Sequence, residues 1–237
     1  MRNTLTIASR QFRSYFNGPV AYIVICLLLG VIGFFFWSPF FLAGRASVRQ
    51  VFTLIAYCVT FAGPALTMGL LAEEKRSGTL ELLITMPIRE AEVIVGKFLA
   101  ALGLWAVCLA CTLPIPFAVS SLGDLDWGPV WSGYLGILLM GGAILAIGLM
   151  FSSFTDNQIV SFFLSLGVTF VFALLLGWMM PFMSGTVASI ADFLSFMSHL
   201  ESLARGVIDS RDVIYFLSIT GFALMVAFRA LESRRWS

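Results

Sequence analysis

Few residues in this 237-residue chain have the types and spacing that chemistry needs. Cys108 and Cys111 form a C-x-x-C, which in a soluble domain would suggest metal or redox work. Here the pair sits in an apolar run with no histidine and no second cysteine pair nearby. We read both, with Cys26 and Cys58, as packing residues. The single histidine, His199, has no ligand-type neighbours and is expected to be solvated. No G-x-x-x-x-G-K-[ST] occurs, so the chain does not cradle nucleotide phosphates by that route. A membrane-embedded serine protease needs a buried Ser–His pair, and His199 falls outside the long apolar runs. No catalytic residue, cofactor or metal site is therefore expected, and the chain is not expected to be an enzyme.

The chemistry that remains is charge. Residues 73–97 hold nine of the 27 charged side chains: Glu73, Glu74, Lys75, Arg76, Glu81, Arg89, Glu90, Glu92 and Lys97. Within that stretch Leu80, Leu83, Ile84 and Pro87 recur at i, i+3, i+4 and i+7, an amphipathic helical stripe. Thr79 suits its N-cap, Glu81 its first turn, and Gly78 the turn before it. A partner groove is one destination for the stripe; lipid headgroups are another. The mixture of charge signs favours the partner, because lipid-surface helices favour Lys and Arg.

The elements that position this segment follow from composition. The chain is 59% hydrophobic and 11% charged, against about 25% charged for a soluble domain, and its mean hydropathy is +0.97. A soluble fold of this length would lack the polar side chains to cover itself. A net charge of +1 offers no basic field for nucleic acid. Six stretches contain no Asp, Glu, Lys or Arg: 14–44, 50–72, 98–123, 127–155, 157–191 and 213–228. Five exceed the roughly 20 residues that cross a bilayer core. The sixth reaches that length if Arg229 snorkels. The expected spans are 19–42, 48–71, 94–118, 130–151, 158–181 and 213–231. Fourteen Leu, Ile, Val or Phe residues between Pro19 and Phe41 favour insertion of the first by about 4–8 kcal/mol. Continuous rather than alternating apolar runs exclude a β-barrel. No ionisable residue is expected firmly inside a span, so an ion relay is not expected.

With the N-terminus inside, inner segments hold 10 Lys and Arg residues and outer segments 4. The positive-inside rule then puts both termini in the cytoplasm. Trp37, Trp127, Trp131 and Trp178 fall at the outer interface and Trp105 in mid-span. Two further non-spanning segments are expected to be helical. In 1–17, Leu5, Ala8, Phe12, Tyr15 and Phe16 oppose Arg2, Thr6, Ser9, Arg10 and Arg13, as in a helix lying on the inner leaflet. It serves either as an anchor or as a mechanical link. Asn17-Gly18-Pro19 ends it. In 182–212, Phe193, Phe196, Met197, Leu200, Leu203, Ala204, Val207 and Ile208 follow one helical stripe, with Asp192 as N-cap, Gly206 as stop and Asp209 capping the last span. Glu201 and Arg205 are expected to face water. The small pairs Gly142/Ala146 and Gly96/Ala100 permit close helix contacts.

The stretch EEKRSGTLELLITMPIREAEVIVGK (73–97) resembles the signature of ABC type-2 permeases, at the same place after the second of six spans. HLESLARGVIDSRDVIYFLS (199–218) and SSFTDNQIV (152–160) resemble the gliding-motility-associated branch. The resemblance covers essentially the whole chain as one transmembrane domain, 1–237. It implies an all-α bundle with an N-terminal connecting helix, a coupling helix within 73–93 and an external hairpin in 182–212 that re-enters the outer leaflet. The ATPase-coupling residues it implies are Glu73, Glu74, Gly78, Thr79, Leu80, Glu81, Leu83, Ile84 and Pro87. Arg10, Phe12, Arg13 and Phe16 fall to the interfacial helix, and Phe193, Phe196, Met197, Leu200 and Leu203 to the external one. The implied partners are a dimer of ATP-binding-cassette ATPase subunits, a second permease copy or paralogue, membrane lipid and an auxiliary subunit with a periplasmic domain. The implied function is the permease of an exporter, or of an ATP-driven mechanical complex, in a bacterial inner membrane. A scaffold or membrane-embedded enzyme carrying a cytoplasmic docking helix is the alternative.

Overall fold

A computed structural model describes residues 2–43, 48–78, 90–182 and 184–233. Among the described residues the chain is helical and has no strand. Helix α1 (Arg2–Asn17) stops at Gly18, whose N–H donates to the Ser14 carbonyl at 3.2 Å. It is followed by α2 (Val20–Ala43), α3 (Arg49–Thr67), α4 (Gly69–Arg76), α5 (Glu90–Thr112), α6 (Pro114–Leu122) and α7 (Trp127–Phe154). Then come α8 (Gln158–Phe170), a π-helical turn (Val171–Leu175), α9 (Leu176–Met179), α10 (Thr186–Leu194), α11 (Phe196–Ala204) and α12 (Ser210–Ser233).

Six stretches are long and apolar enough to cross a membrane: Val20–Trp37, Arg49–Arg76, Glu90–Leu122, Trp127–Phe154, Gln158–Met179 and Ser210–Glu232. They overlay the six expected spans. Three are interrupted. Pro64 removes one ladder donor near the end of α3, and the regular helix is interrupted at Met68 between α3 and α4. Pro114 restarts the third span as α6 after Leu113. The π turn interrupts the fifth, between α8 and α9. Side chains cap the short turns. Asp126 Oδ1 accepts from the Gly128 N–H at 3.0 Å, and Asn157 Oδ1 from the Ile159 N–H at 2.9 Å.

Helix α7 is the centre of the bundle. Of its most apolar stretch 72% is buried inside the protein, against 22% for the first, fifth and sixth spans. Small residues permit this. Gly133 is covered by the Phe52 ring, Gly136 by Leu200 and Leu203, Gly141 by the Trp105 indole and Gly148 by Thr67. A side chain at any of them would displace its neighbour. Trp105, anomalous as an interface tryptophan, is thereby explained: it is fully buried and its Nε1–H donates to the Ile137 carbonyl at 3.2 Å. Gly96 and Ala100 are also used within the chain, where Ile7 and the Thr4 carbonyl of α1 press on Gly96.

Candidate functional site

At the N-terminal end of the bundle, α4 and α5 are the two stems of residues 79–89. Thr79, Leu80, Glu81, Leu83, Ile84 and Pro87 lie outside the described residues. The stems are described in full. Helix α4 closes on Ser77, whose N–H donates to the Glu73 carbonyl at 2.9 Å, and Gly78 follows at φ +71°, where glycine is favoured. Glu73 is exposed. Glu74 turns inward and meets Lys97 of α5 at 2.5 Å.

Lys97, at the border of the third expected span, lies within the apolar helical stretch Glu90–Leu122 and is 3% exposed. Its ammonium also donates to the Leu70 carbonyl. A buried lysine needs such partners, because an unpaired charge there is costly. The same region is tied to α7. Ser152 Oγ donates to the Met68 carbonyl at 2.9 Å and accepts from the Leu71 and Ala72 N–H groups at 3.0 Å each. One hydroxyl therefore serves the backbone groups that the break between α3 and α4 exposes. Lys75 Nζ donates to the Ser153 carbonyl. The two stems and the central helix are thus joined by polar contacts at one level.

Helix α1 packs along α5, with Phe12 over Gly103, and Asn3 Nδ2 donates to Glu92 Oε2 at 3.3 Å. Phe12 and Phe16 are half-buried, with ring centroids 5.0 Å apart. Its apolar face is therefore spent largely on protein. Leu5, assigned to that face from the sequence, is 65% exposed, and Ile7 takes its place against Gly96. Tyr15 is buried, and desolvation pushes its phenol up to about 12. Arg10 and Arg13 are exposed along a groove of about 740 Å³.

At the opposite end, the single helix expected from Phe193 to Ile208 is two. Ser195, extended at φ −76° and ψ 123°, separates α10 from α11. Asp192 is therefore no N-cap: it sits in the last turn of α10, where its carbonyl accepts from the Ser195 N–H at 3.2 Å. Phe196, Leu200 and Leu203 are buried, Met197 is half-buried, and Phe193 is 65% exposed. The Phe196 ring lies 5.8 Å from Phe172 and 5.7 Å from Phe216. Gly206, at φ +94°, follows the end of α11, which leaves Val207 and Ile208 exposed and outside any helix. Glu201 and Arg205 pair at 3.1 Å on the exposed side. Asp209 Oδ1 accepts from the Arg211 N–H at 2.9 Å at the start of α12.

His199 is the residue that sequence reasoning missed. It is not solvated. Its Nδ1 lies 2.7 Å from Asp212 Oδ1, its Nε2 lies 2.9 Å from the Phe193 carbonyl, and its ring stacks on Tyr215 at 4.0 Å. The i, i+13 spacing of His199 and Asp212 across a turn gives no periodic signal. The pair borders a cleft of about 1220 Å³, whose apolar wall includes Tyr57, Phe61, Phe170 and Trp178.

Among the described residues no three His, Cys, Asp or Glu side chains converge as a metal site requires. All four cysteines are free thiols. The chemistry available is mechanical and electrostatic: buried pairs that fix helices to one another. Residues 5–228 match the family described as ABC-2 family transporter protein. No curated protein matches the chain. The match spans nearly its whole length, and the chain belongs to the ABC-2 transporter family as a multi-pass membrane permease.

Proposed function

We propose that this permease couples ATP hydrolysis on a separate subunit to movement across the membrane, as an exporter or as an ATP-driven mechanical complex. Members of the family generally work with an ATP-binding subunit. The observation that carries the reading is the bracing at the root of residues 79–89. Glu74 of one stem meets Lys97 of the other, and Ser152 and Ser153 tie the first stem to the central helix. A force applied to the segment would move α4, α5 and α7 together. The stripe Leu80, Leu83, Ile84 and Pro87 is the surface that a cytoplasmic ATPase dimer would grip, with Glu73, Gly78, Thr79 and Glu81 shaping its approach.

The 10-to-4 distribution of Lys and Arg supports a cytoplasmic position for that segment and both termini, and the resemblance to bacterial permeases supports an inner-membrane location. Arg10 and Arg13 then face inner-leaflet lipid or the ATPase. The sparsely buried first, fifth and sixth spans leave faces for a second permease copy or paralogue. The external stretch 199–218 is the basis for the gliding-motility branch, where an auxiliary subunit with a periplasmic domain accompanies the permease.

Leu83→Asp tests the coupling. Desolvating an unpaired carboxylate costs several kcal/mol, more than a coupling of about 1–3 kcal/mol. The variant is expected to insert normally and to lose co-purification with, and stimulation of, a co-expressed ATP-binding subunit. Undiminished co-purification and ATP turnover would overturn the assignment.

A further inference from the structure

We propose that the polar face of α1 is a docking surface for the headgroups of anionic phospholipids, and that the helix meets the bilayer through this face and not through its apolar one. The inference depends neither on the ATPase assignment nor on which leaflet lies at this end of the bundle. An amphipathic helix that rests on a membrane ordinarily buries its apolar side at the boundary of the acyl chains. In α1 that side is taken. Ile7 presses on Gly96 and Phe12 on Gly103, both in α5, and Tyr15 is buried. What remains open is a strip that includes Ser9, Arg10, Arg13, Ser14 and Asn17, with Leu5 at its edge, along a groove of about 740 Å³.

The strip carries charge of one sign. Helix α1 contains no Asp or Glu, and among the described residues none lines the groove. Arg10 and Arg13 are exposed, and neither guanidinium has a partner among the described residues. At i, i+3 they share a face, about 4.5 Å apart along the helix axis. A guanidinium takes a phosphate through two parallel N–H donors. Ser9, Ser14 and Asn17 add hydroxyl and amide groups able to donate to the remaining oxygens. The place of the groove selects a lipid over a protein or a soluble anion. Asn17, at its end, is three residues before Val20, where the first span begins. Val20, Tyr22 and Ile23 are exposed in the first turn of that span, and the Tyr22 ring lies 6.2 Å from Phe16. Tyrosine is a residue type enriched at headgroup level. At the other end Leu5 is exposed beside the groove. A basic strip with apolar side chains at both ends, at the foot of a span, complements an amphiphile whose phosphate lies between the arginines and whose chains run beside α2.

The test uses the full chain in mild detergent, given equal amounts of phosphatidylglycerol and phosphatidylcholine with the same acyl chains and read by native mass spectrometry. Retention of phosphatidylglycerol is expected to exceed that of phosphatidylcholine several-fold. In the Arg10→Gln, Arg13→Gln double variant the two lipids should be retained almost equally. Arg205→Gln with Arg211→Gln removes the same charge from exposed positions at the opposite end and should leave the preference intact. Equal retention of the two lipids by the unaltered protein would overturn the proposal, whatever the variants do. So would a preference that survives the α1 substitutions, or one that the Arg205 and Arg211 substitutions abolish as fully. Displacement of phosphatidylglycerol by an excess of inorganic phosphate would make the groove a site for a free anion and would also overturn it. If the α1 double variant kept its lipid preference and instead lost a co-expressed ATP-binding subunit, the face would belong to that protein and the lipid assignment would fall.

Discussion

Among the described residues, each end of the bundle holds an acid–base pair that bridges separate helices and is largely withdrawn from solvent. At the N-terminal end Lys97 and Glu74 join the stems of residues 79–89, with side chains 4% and 31% exposed. At the opposite end His199 and Asp212 join the helix pair to the last span, at 11% and 9%. The first pair uses residue types that are ordinarily charged throughout the neutral range. The first is reinforced by Ser152, Ser153 and backbone groups of α4; the second stands with one carboxylate oxygen unpartnered. Burial alone does not make a strut; the number of additional donors does.

The largest expected effect breaks the strut. Lys97→Met removes one partner of a buried pair and should destabilise the protein by about 2–3 kcal/mol, toward the low side because Glu74 is partly exposed. Thermal unfolding in detergent reads it, and adding Glu74→Gln should recover part of the loss. A smaller loss, about 1–2 kcal/mol, is expected for Ser152→Ala, which strips three hydrogen bonds from the break in the second span. It should lower ATPase stimulation more than Glu201→Gln does. If the two variants behave alike in coupling, the bracing is not a transmission element.

The comparison sharpens with pH. Tyr15 keeps its proton to about 12 in the folded protein, against about 10 in an unfolded chain. A raised acid contributes its stability below the unfolded value and loses it as pH rises toward the folded one. The packing of α1 should therefore be constant through neutral pH and weaken only between about pH 10 and 12. Hydrogen exchange of residues 2–17, corrected for intrinsic rate, checks this. Loosening of α1 near neutrality would show that the buried Tyr15 phenol does not set the pH dependence of its packing. The smallest effect is expected for Glu201→Gln, whose pair with Arg205 is about 60% exposed on both sides and is worth under about 0.5 kcal/mol.

The spans were legible because insertion is a sum over local residues: a run without charge is a run that inserts. Two of the breaks within them lie near prolines, Pro64 and Pro114, a signal that a search for charge-free runs does not use. The burial of Lys97 was not legible, because its partner Glu74 is on another helix 23 positions away and its neighbours resemble any span border. The division at Ser195 was hidden because Phe193, Phe196, Met197 and Leu200 keep helical spacing across it. Tertiary packing, not periodicity, sends Phe196 into the core and leaves Phe193 on the cleft rim. Leu5 and Ile7 differ by two positions and little in hydropathy. The contact with Gly96, invisible in either residue, decides which is buried.

The position of α7 bears on how the chain is made. Its most extensive interfaces are with α3, synthesised before it, and α12, synthesised after it. Until residues 196–231 emerge, the flank that Leu200 and Leu203 will cover at Gly136 has only lipid beside it. A nascent chain halted after the fifth span would therefore present an incompletely packed central helix to quality-control proteases. Arrival of α11 and α12 is the event that covers this flank of α7.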